Sequence, residues 1–120
     1  MDRSTALNLI TAAGVAYSGL TIFAPKYYVG QNNIDVNDDT VHLARSAGCG
    51  IAGLTSVAYM ARDSDNDTQR VALCSLATAF SGWTAFNALR CMSKDSLQAK
   101  VDLATAGVLL GVTTAALMNN

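Results

Sequence analysis

The stretch STALNLITAAGVAYSGLTIFA (residues 4–24) contains no Asp, Glu, Lys or Arg. Three further stretches share this property, namely residues 46–61, 71–89 and 103–120. A helix that crosses about 30 Å of hydrocarbon needs about 20 apolar residues, because each residue advances the helix by ~1.5 Å. The first, third and fourth stretches approach this length. The second reaches it if its helix begins near Val41 and Arg45 extends its guanidinium group to the lipid headgroups.

The charges of the chain are concentrated outside these stretches, and they are few. Apolar residues make up 51% of the sequence and charged residues only 14%, compared with about 25% charged in an average soluble domain. A soluble four-helix bundle would need a charged outer face on every helix, and the charge-free stretches leave none. The sequence therefore predicts a single all-α domain over residues 1–120. We expect an integral membrane, antiparallel four-helix bundle with helices at about 4–24, 41–61, 67–91 and 96–118.

Local signals for the ends of the helices agree with this division. A helix start favours a side chain that accepts hydrogen bonds from the first-turn N–H groups. Candidate caps precede all four predicted helices, and they are Asp2 or Ser4, Asp38 or Asp39, Asn66 with Gln69, and Asp95 with Gln98. Pro25, the only proline, ends the first predicted helix.

Small residues recur at helical spacing and indicate where helices pack closely in lipid. We expect these residues to lie at helix contacts, within the chain or with a partner subunit. The candidate packing residues are Gly14, Ser18, Ala44, Gly48, Ala52, Ser56, Thr78, Gly82, Gly107 and Gly111. Helices of this composition predict a thin, tightly packed bundle without a large central cavity.

Few residues suggest binding chemistry. His42, the only histidine, and Asn87 are candidate ligands for a pigment metal, although an interfacial histidine in contact with water is a simpler interpretation of His42. Asp102 lies within two turns of the fourth helix start, where the helix dipole favours an anion, and this predicts a structural role near water. The polar connection over residues 25–39 is long enough to contact a neighbouring subunit. Its candidate contact residues are Tyr27, Tyr28, Asp35, Asp38 and Asp39.

Several functional classes are excluded by what the chain lacks. A net charge of −1 provides no basic surface for nucleic acid. The three cysteines, Cys49, Cys74 and Cys91, have no C-x-x-C spacing, and a small multidrug transporter would require a Glu in its first helix, whereas this chain has no Glu. We therefore expect no enzymatic activity.

By elimination, the sequence favours a non-catalytic accessory subunit of a larger energy-converting membrane complex. Such a complex could be a mitochondrial respiratory complex, an ATP synthase or a photosystem. No cofactor is required, but bound lipid is expected, and chlorophyll or carotenoid would accompany a photosystem. An even number of spans places both termini on one side of a mitochondrial inner or thylakoid membrane. The alternative is a free-standing carrier or small-molecule-binding bundle whose site is lined by Tyr17, Tyr59, Trp83 and Asn87.

Overall fold

The computed structural model describes residues 1–93 and 96–119, and this part of the chain is entirely helical, with five helices and no strand. Four long helices correspond to the four predicted ones, each with ends shifted by a few residues. The fifth helix is short and lies in the first connection, which the sequence predicts as a loop. The helices are α1 (Arg3–Phe23), α2 (Pro25–Gln31), α3 (Asp38–Ala61), α4 (Asn66–Ser93) and α5 (Leu97–Met118).

The short helix α2 corrects the prediction of a polar loop over residues 25–39. Pro25 ends α1 as expected, but it also begins α2, because its fixed φ suits the first position of a helix. Tyr27 and Tyr28 are therefore helical. Asp38 and Asp39 occupy the first turn of α3, so only Asp35 of the five predicted contact residues lies in a connection.

The helix caps are partly those that the sequence indicates. Asp2 caps α1 by accepting a hydrogen bond from the Thr5 N–H at 3.2 Å, as predicted. The cap of α3 is Asn37, one residue before the predicted acids, and it forms a reciprocal capping box with Thr40. Asp65 accepts from the Thr68 N–H at 2.7 Å in the first turn of α4, so the cap lies one residue before the predicted Asn66. The predicted cap Asp95 lies outside the described residues, and Ser96 caps α5.

The long helices form two pairs. α1 packs mainly on α3, and α4 packs mainly on α5, with little contact between α3 and α4. The chain ends meet at one end of the bundle, where Asn119 Nδ2 donates to the Met1 carbonyl at 2.9 Å. At the opposite end, Ser96 Oγ donates to the Gln31 carbonyl at 2.9 Å and joins the start of α5 to α2.

Buried side chains are mostly apolar, and a core that includes Leu7, Ala58, Leu73 and Ala116 joins the four long helices. Polar side chains are buried as well, and Asn32, Asn87, Thr21, Thr113 and Asp102 are among the largest that are fully buried. The outer surface carries large apolar side chains, among them Phe23, Met60, Met92, Leu97 and Met118. By length and composition, α1 and α5 are apolar enough to cross a membrane, whereas α3 and α4 fall short of that standard.

Two glycines allow α1 and α3 to approach closely. A methyl group added at Gly14 would overlap the Thr55 side chain, and one at Gly48 would overlap Thr21 and lie 2.7 Å from Ile22 Cγ1. Of the other predicted packing residues, Ser18 and Ala44 are buried and Ala52 is half-buried. This part of the small-residue pattern therefore lies at or beside a contact within the chain.

The remaining predicted packing residues face away from the bundle. Gly82, Gly107 and Gly111 have open space where a Cβ would lie, and Ser56 and Thr78 are exposed. Packing within the chain is therefore not their role. The G-x-x-x-G of α5 lies on an outer face that contacts no other described helix of the chain.

We predict opposite effects of the same substitution at two positions of α3. Gly48→Ala lowers the free energy of unfolding by about 1–3 kcal/mol, because the new methyl group overlaps α1. Gly50→Ala raises it by up to about 1 kcal/mol, because Gly50 faces open space and alanine favours helix. Unfolding of the two variants in mild detergent, followed by circular dichroism, measures both effects. Equal effects would contradict the close approach of α1 and α3.

Candidate functional site: a cavity with one polar end

A cavity of about 580 Å³ lies between the α1–α3 pair and α4, contrary to the prediction of a bundle without a large cavity. It exists because α3 and α4 make little contact with each other. Its volume falls within the ~300–1,000 Å³ typical of sites for small molecules. The lining is mainly apolar and includes Ile10, Ala13, Leu43, Ala47, Ile51, Leu54, Leu76, Ala79, Phe80, Trp83, Phe86 and Leu109.

One end of the cavity is polar, and the polar side chains there come from several elements. They include Tyr17 of α1, Tyr28 of α2, Asn32 at the C-cap of α2, and Arg90 of α4. Behind them lies Asp102 of α5, which is fully buried. Its Oδ1 accepts hydrogen bonds from Tyr17 Oη at 3.0 Å and Gln98 Nε2 at 2.8 Å, and its Oδ2 accepts from Tyr28 Oη at 2.6 Å.

This environment corrects the expectation that Asp102 lies near water. The carboxylate is enclosed by three side-chain donors and by the guanidinium of Arg90, whose Nη1 is 3.7 Å from Oδ2. A buried carboxylate is tolerated where hydrogen bonds and an opposite charge replace its hydration. Asp102 therefore joins α1, α2, α4 and α5, which is a structural role of a different kind from the predicted one.

Arg90 contacts three residues and remains partly exposed to the cavity. Its Nη1 donates to Asn87 Oδ1 at 3.0 Å, and its Nη2 donates to Asn32 Oδ1. A guanidinium has five N–H donors, so these two bonds leave donors to spare. Asn32 is fixed in turn, because its Nδ2 donates to the Tyr28 carbonyl at 2.8 Å.

Tyr28 is held in its neutral, donating form. Burial and the adjacent Asp102 carboxylate raise the pKa of the Tyr28 phenol above its ordinary value of 10.0. A phenol with a raised pKa in the folded state stabilises the fold below pH 10, and this contribution is lost as the pH rises toward the folded-state pKa. The phenol is therefore protonated at neutral pH and able to donate to Asp102.

The predicted small-molecule site is only partly assembled. Tyr17 and Trp83 both line the cavity and pack edge to face, with ring centroids 5.3 Å apart. Tyr59 instead lies under the guanidinium of Arg62, 3.7 Å from ring centroid to Cζ. Asn87 is fully buried beside the cavity, where it contacts Trp83 and Arg90.

The two candidate pigment ligands differ in their surroundings. His42 is exposed just after the first turn of α3. The amide oxygen of Asn87 accepts from Arg90, and its amide nitrogen donates to the Trp83 carbonyl at 2.9 Å, so both ends of this amide are hydrogen-bonded within the chain. Within residues 1–93 and 96–119, no group of three or more His, Cys, Asp or Glu side chains is arranged to hold a metal ion.

Sequence reasoning missed Asn32, Arg90 and the tertiary partners of Asp102. Asn32 and Arg90 belong to polar segments at helix ends, where a residue in contact with water is the ordinary interpretation. Comparison of the chain with protein-family models, with curated proteins and with solved structures finds no match. The site itself presents hydrogen-bond donors and aromatic rings at one end of an apolar cavity.

Adjacent tyrosines offer a matched test of this network. Tyr28→Phe removes a hydrogen bond to a buried carboxylate, and we expect the free energy of unfolding to fall by about 1.5–3 kcal/mol. Tyr27→Phe alters a side chain that is 60% exposed, and we expect a change within about 0.5 kcal/mol. Thermal unfolding in detergent measures both variants. Equal changes would show that the Tyr28–Asp102 bond does not stabilise the fold.

Proposed function

We propose that this protein is an integral membrane bundle and a non-catalytic accessory subunit of a larger energy-converting membrane complex. The observation that carries the membrane location is the set of large apolar side chains on the outer surface, such as Phe23, Met60 and Met92, on helices with long charge-free stretches. In hydrocarbon an exposed Phe or Met has no cost, whereas a polar side chain is stabilised by a partner inside the bundle. The apolar character of α1 and α5 supports the same location.

The subunit role is supported by the outer face of α5. Gly107 and Gly111 are exposed there, one turn apart, and have open space where a Cβ would lie. Glycines so spaced allow a second helix to approach the backbone closely in lipid. Four of the five predicted contact residues are exposed, and they would extend this contact outside the membrane. They are Tyr27 of α2, Asp35 of the following connection, and Asp38 and Asp39 of α3.

A mitochondrial inner or thylakoid membrane is the proposed location, with both termini on the same side. Candidate complexes are a respiratory complex, an ATP synthase or a photosystem. Membrane lipid is the proposed bound component. A chlorophyll or carotenoid would belong to the photosystem version, where the exposed His42 is the better placed of the two candidate ligands.

A free-standing membrane protein that binds a small molecule is the second candidate. The cavity of about 580 Å³ favours it, because this volume suits a ligand and two of the four predicted lining residues, Tyr17 and Trp83, lie there. This candidate would migrate alone or as a small homo-oligomer, whereas an accessory subunit would migrate with its complex.

The proposed role predicts the location and assembly of the chain in its source membranes. We expect the protein to remain in the pellet after alkaline carbonate extraction and to comigrate with a large complex on a native gel in mild detergent. Mass spectrometry of the gel band identifies the partner subunits, and absorption spectroscopy of the same band detects pigment. Release by carbonate would refute the membrane location. Migration near 12.5 kDa would refute the subunit role and favour the second candidate.

The proposed role also predicts the effect of substitutions on the outer face of α5. Gly107→Leu combined with Gly111→Leu should detach the chain from its complex, because two leucines prevent close approach of a neighbouring helix. Gly53→Leu provides the control, since Gly53 also faces open space but lies on α3. We expect the control to assemble normally and both proteins to unfold at similar temperatures. Normal assembly of the α5 variant would exclude this face as the interface.

A further inference from the structure

The cavity opens sideways, between α3 and α4. Leu43 and Phe86 line it at this edge, and they are 66% and 60% exposed. Ala47 on the same side is exposed as well. If the bundle spans a membrane, as proposed above, this opening faces the acyl chains of the bilayer.

The apolar part of the cavity is long and narrow. Its lining residues on α3 extend from Leu43 to Leu54, which corresponds to about 16 Å along the helix axis. The cavity volume of about 580 Å³ lies in the range of small-molecule sites and suits one acyl chain that extends along α3.

The polar end of the cavity presents the Arg90 guanidinium. It is paired with the buried Asp102 carboxylate, 3.7 Å from Nη1, but Asp102 lies behind it and also accepts bonds from Tyr17, Tyr28 and Gln98. The guanidinium uses one N–H on each Nη atom for Asn87 and Asn32 and retains further donors. Free N–H donors on a guanidinium recognise a carboxylate or phosphate oxygen.

We propose that this cavity binds a single-chain lipid with an oxyanion headgroup, with the headgroup at Arg90 and the acyl chain between α3 and α4. The proposal rests on the membrane location given above and adds a ligand class to it. A fatty carboxylate and a lysophosphate share this headgroup chemistry. Trp83 and Phe80 also line the cavity and lie about 10 and 15 Å from Arg90 along α4, so they would contact the acyl chain away from the headgroup.

Trp83 is the only tryptophan, so its fluorescence reports occupancy of the cavity. The experiment adds 9,10-dibromostearate, whose bromines quench nearby tryptophan, to the purified full-length protein in mild detergent. We expect saturable quenching at a low mole fraction of the fatty acid. The methyl ester of dibromostearate, which has no charge, should bind at least tenfold more weakly, because it lacks the oxyanion that Arg90 recognises.

Two substitutions on α4 form a matched pair that tests the acyl-chain site. Ala79→Phe places a ring in the cavity and should abolish saturable quenching, whereas Ala85→Phe adds the same ring at an exposed position outside the lining and should preserve it. Circular dichroism verifies that both variants are folded. Equal quenching of the two variants would overturn the proposal.

The headgroup site is tested by the double variant Arg90→Gln with Asp102→Asn, which removes both charges and leaves the pair neutral. It should lower the affinity for dibromostearate about tenfold or more and leave that for the methyl ester unchanged. Equal loss for both probes would overturn the headgroup assignment. Competition by unlabelled oleate or by lysophosphatidate distinguishes a carboxylate from a phosphate ligand. Failure of both to compete would also overturn the headgroup assignment.

The outcomes separate this inference from the membrane proposal. Resistance to carbonate extraction without saturable quenching would overturn the lipid site and leave the membrane location intact. Saturable quenching of a protein that carbonate releases would support the lipid site and refute the membrane location.

Discussion

The burial of the Asp102 carboxylate constrains one end of this structure more than any other interaction. A carboxylate without water needs several donors and a nearby cation, and no single helix supplies them. Tyr17 must come from α1, Tyr28 from α2 and Arg90 from α4. The position of α2 across the end of the bundle therefore follows from the need to bring the Tyr28 hydroxyl to Asp102.

A second kind of packing operates along the rest of the bundle. α1 and α3 meet through Gly14 and Gly48, where any larger side chain would separate them. No comparable contact joins α3 to α4, and α4 instead packs on α5. The two pairs are joined at one end by the polar network and toward the other end by a buried apolar core to which all four long helices contribute, among its members Leu7, Ala58, Leu73 and Ala116. The space left between the pairs is the cavity.

The sequence predicts the long helices well because their signals are local. Charge-free stretches, the cap at Asp2 and the stop at Pro25 act within a few residues of the helix end that they define. The short helix α2 is missed because a proline that ends one helix can equally begin the next. The role of Asp102 is missed because its partners Tyr17 and Tyr28 lie 85 and 74 residues away along the chain. Glycine spacing is likewise ambiguous: Gly14 and Gly48 contact a neighbouring helix, whereas Gly107 and Gly111, in a more regular motif, do not.

The polar network and the cavity follow from one arrangement of the helices. Arg90 lies near the end of α4, and α2 and the start of α5 lie at that same end. The polar part of the cavity is therefore close to the end of the bundle where Lys26, Asp38 and Asp39 are exposed. In a bilayer this end would lie near the headgroups, while the apolar part of the cavity would extend toward the hydrocarbon. A lipid from the same leaflet could then enter sideways without inverting, with its headgroup already at the depth of Arg90. The network that satisfies Asp102 thus also orients the guanidinium toward the one part of the cavity that a lipid headgroup would reach.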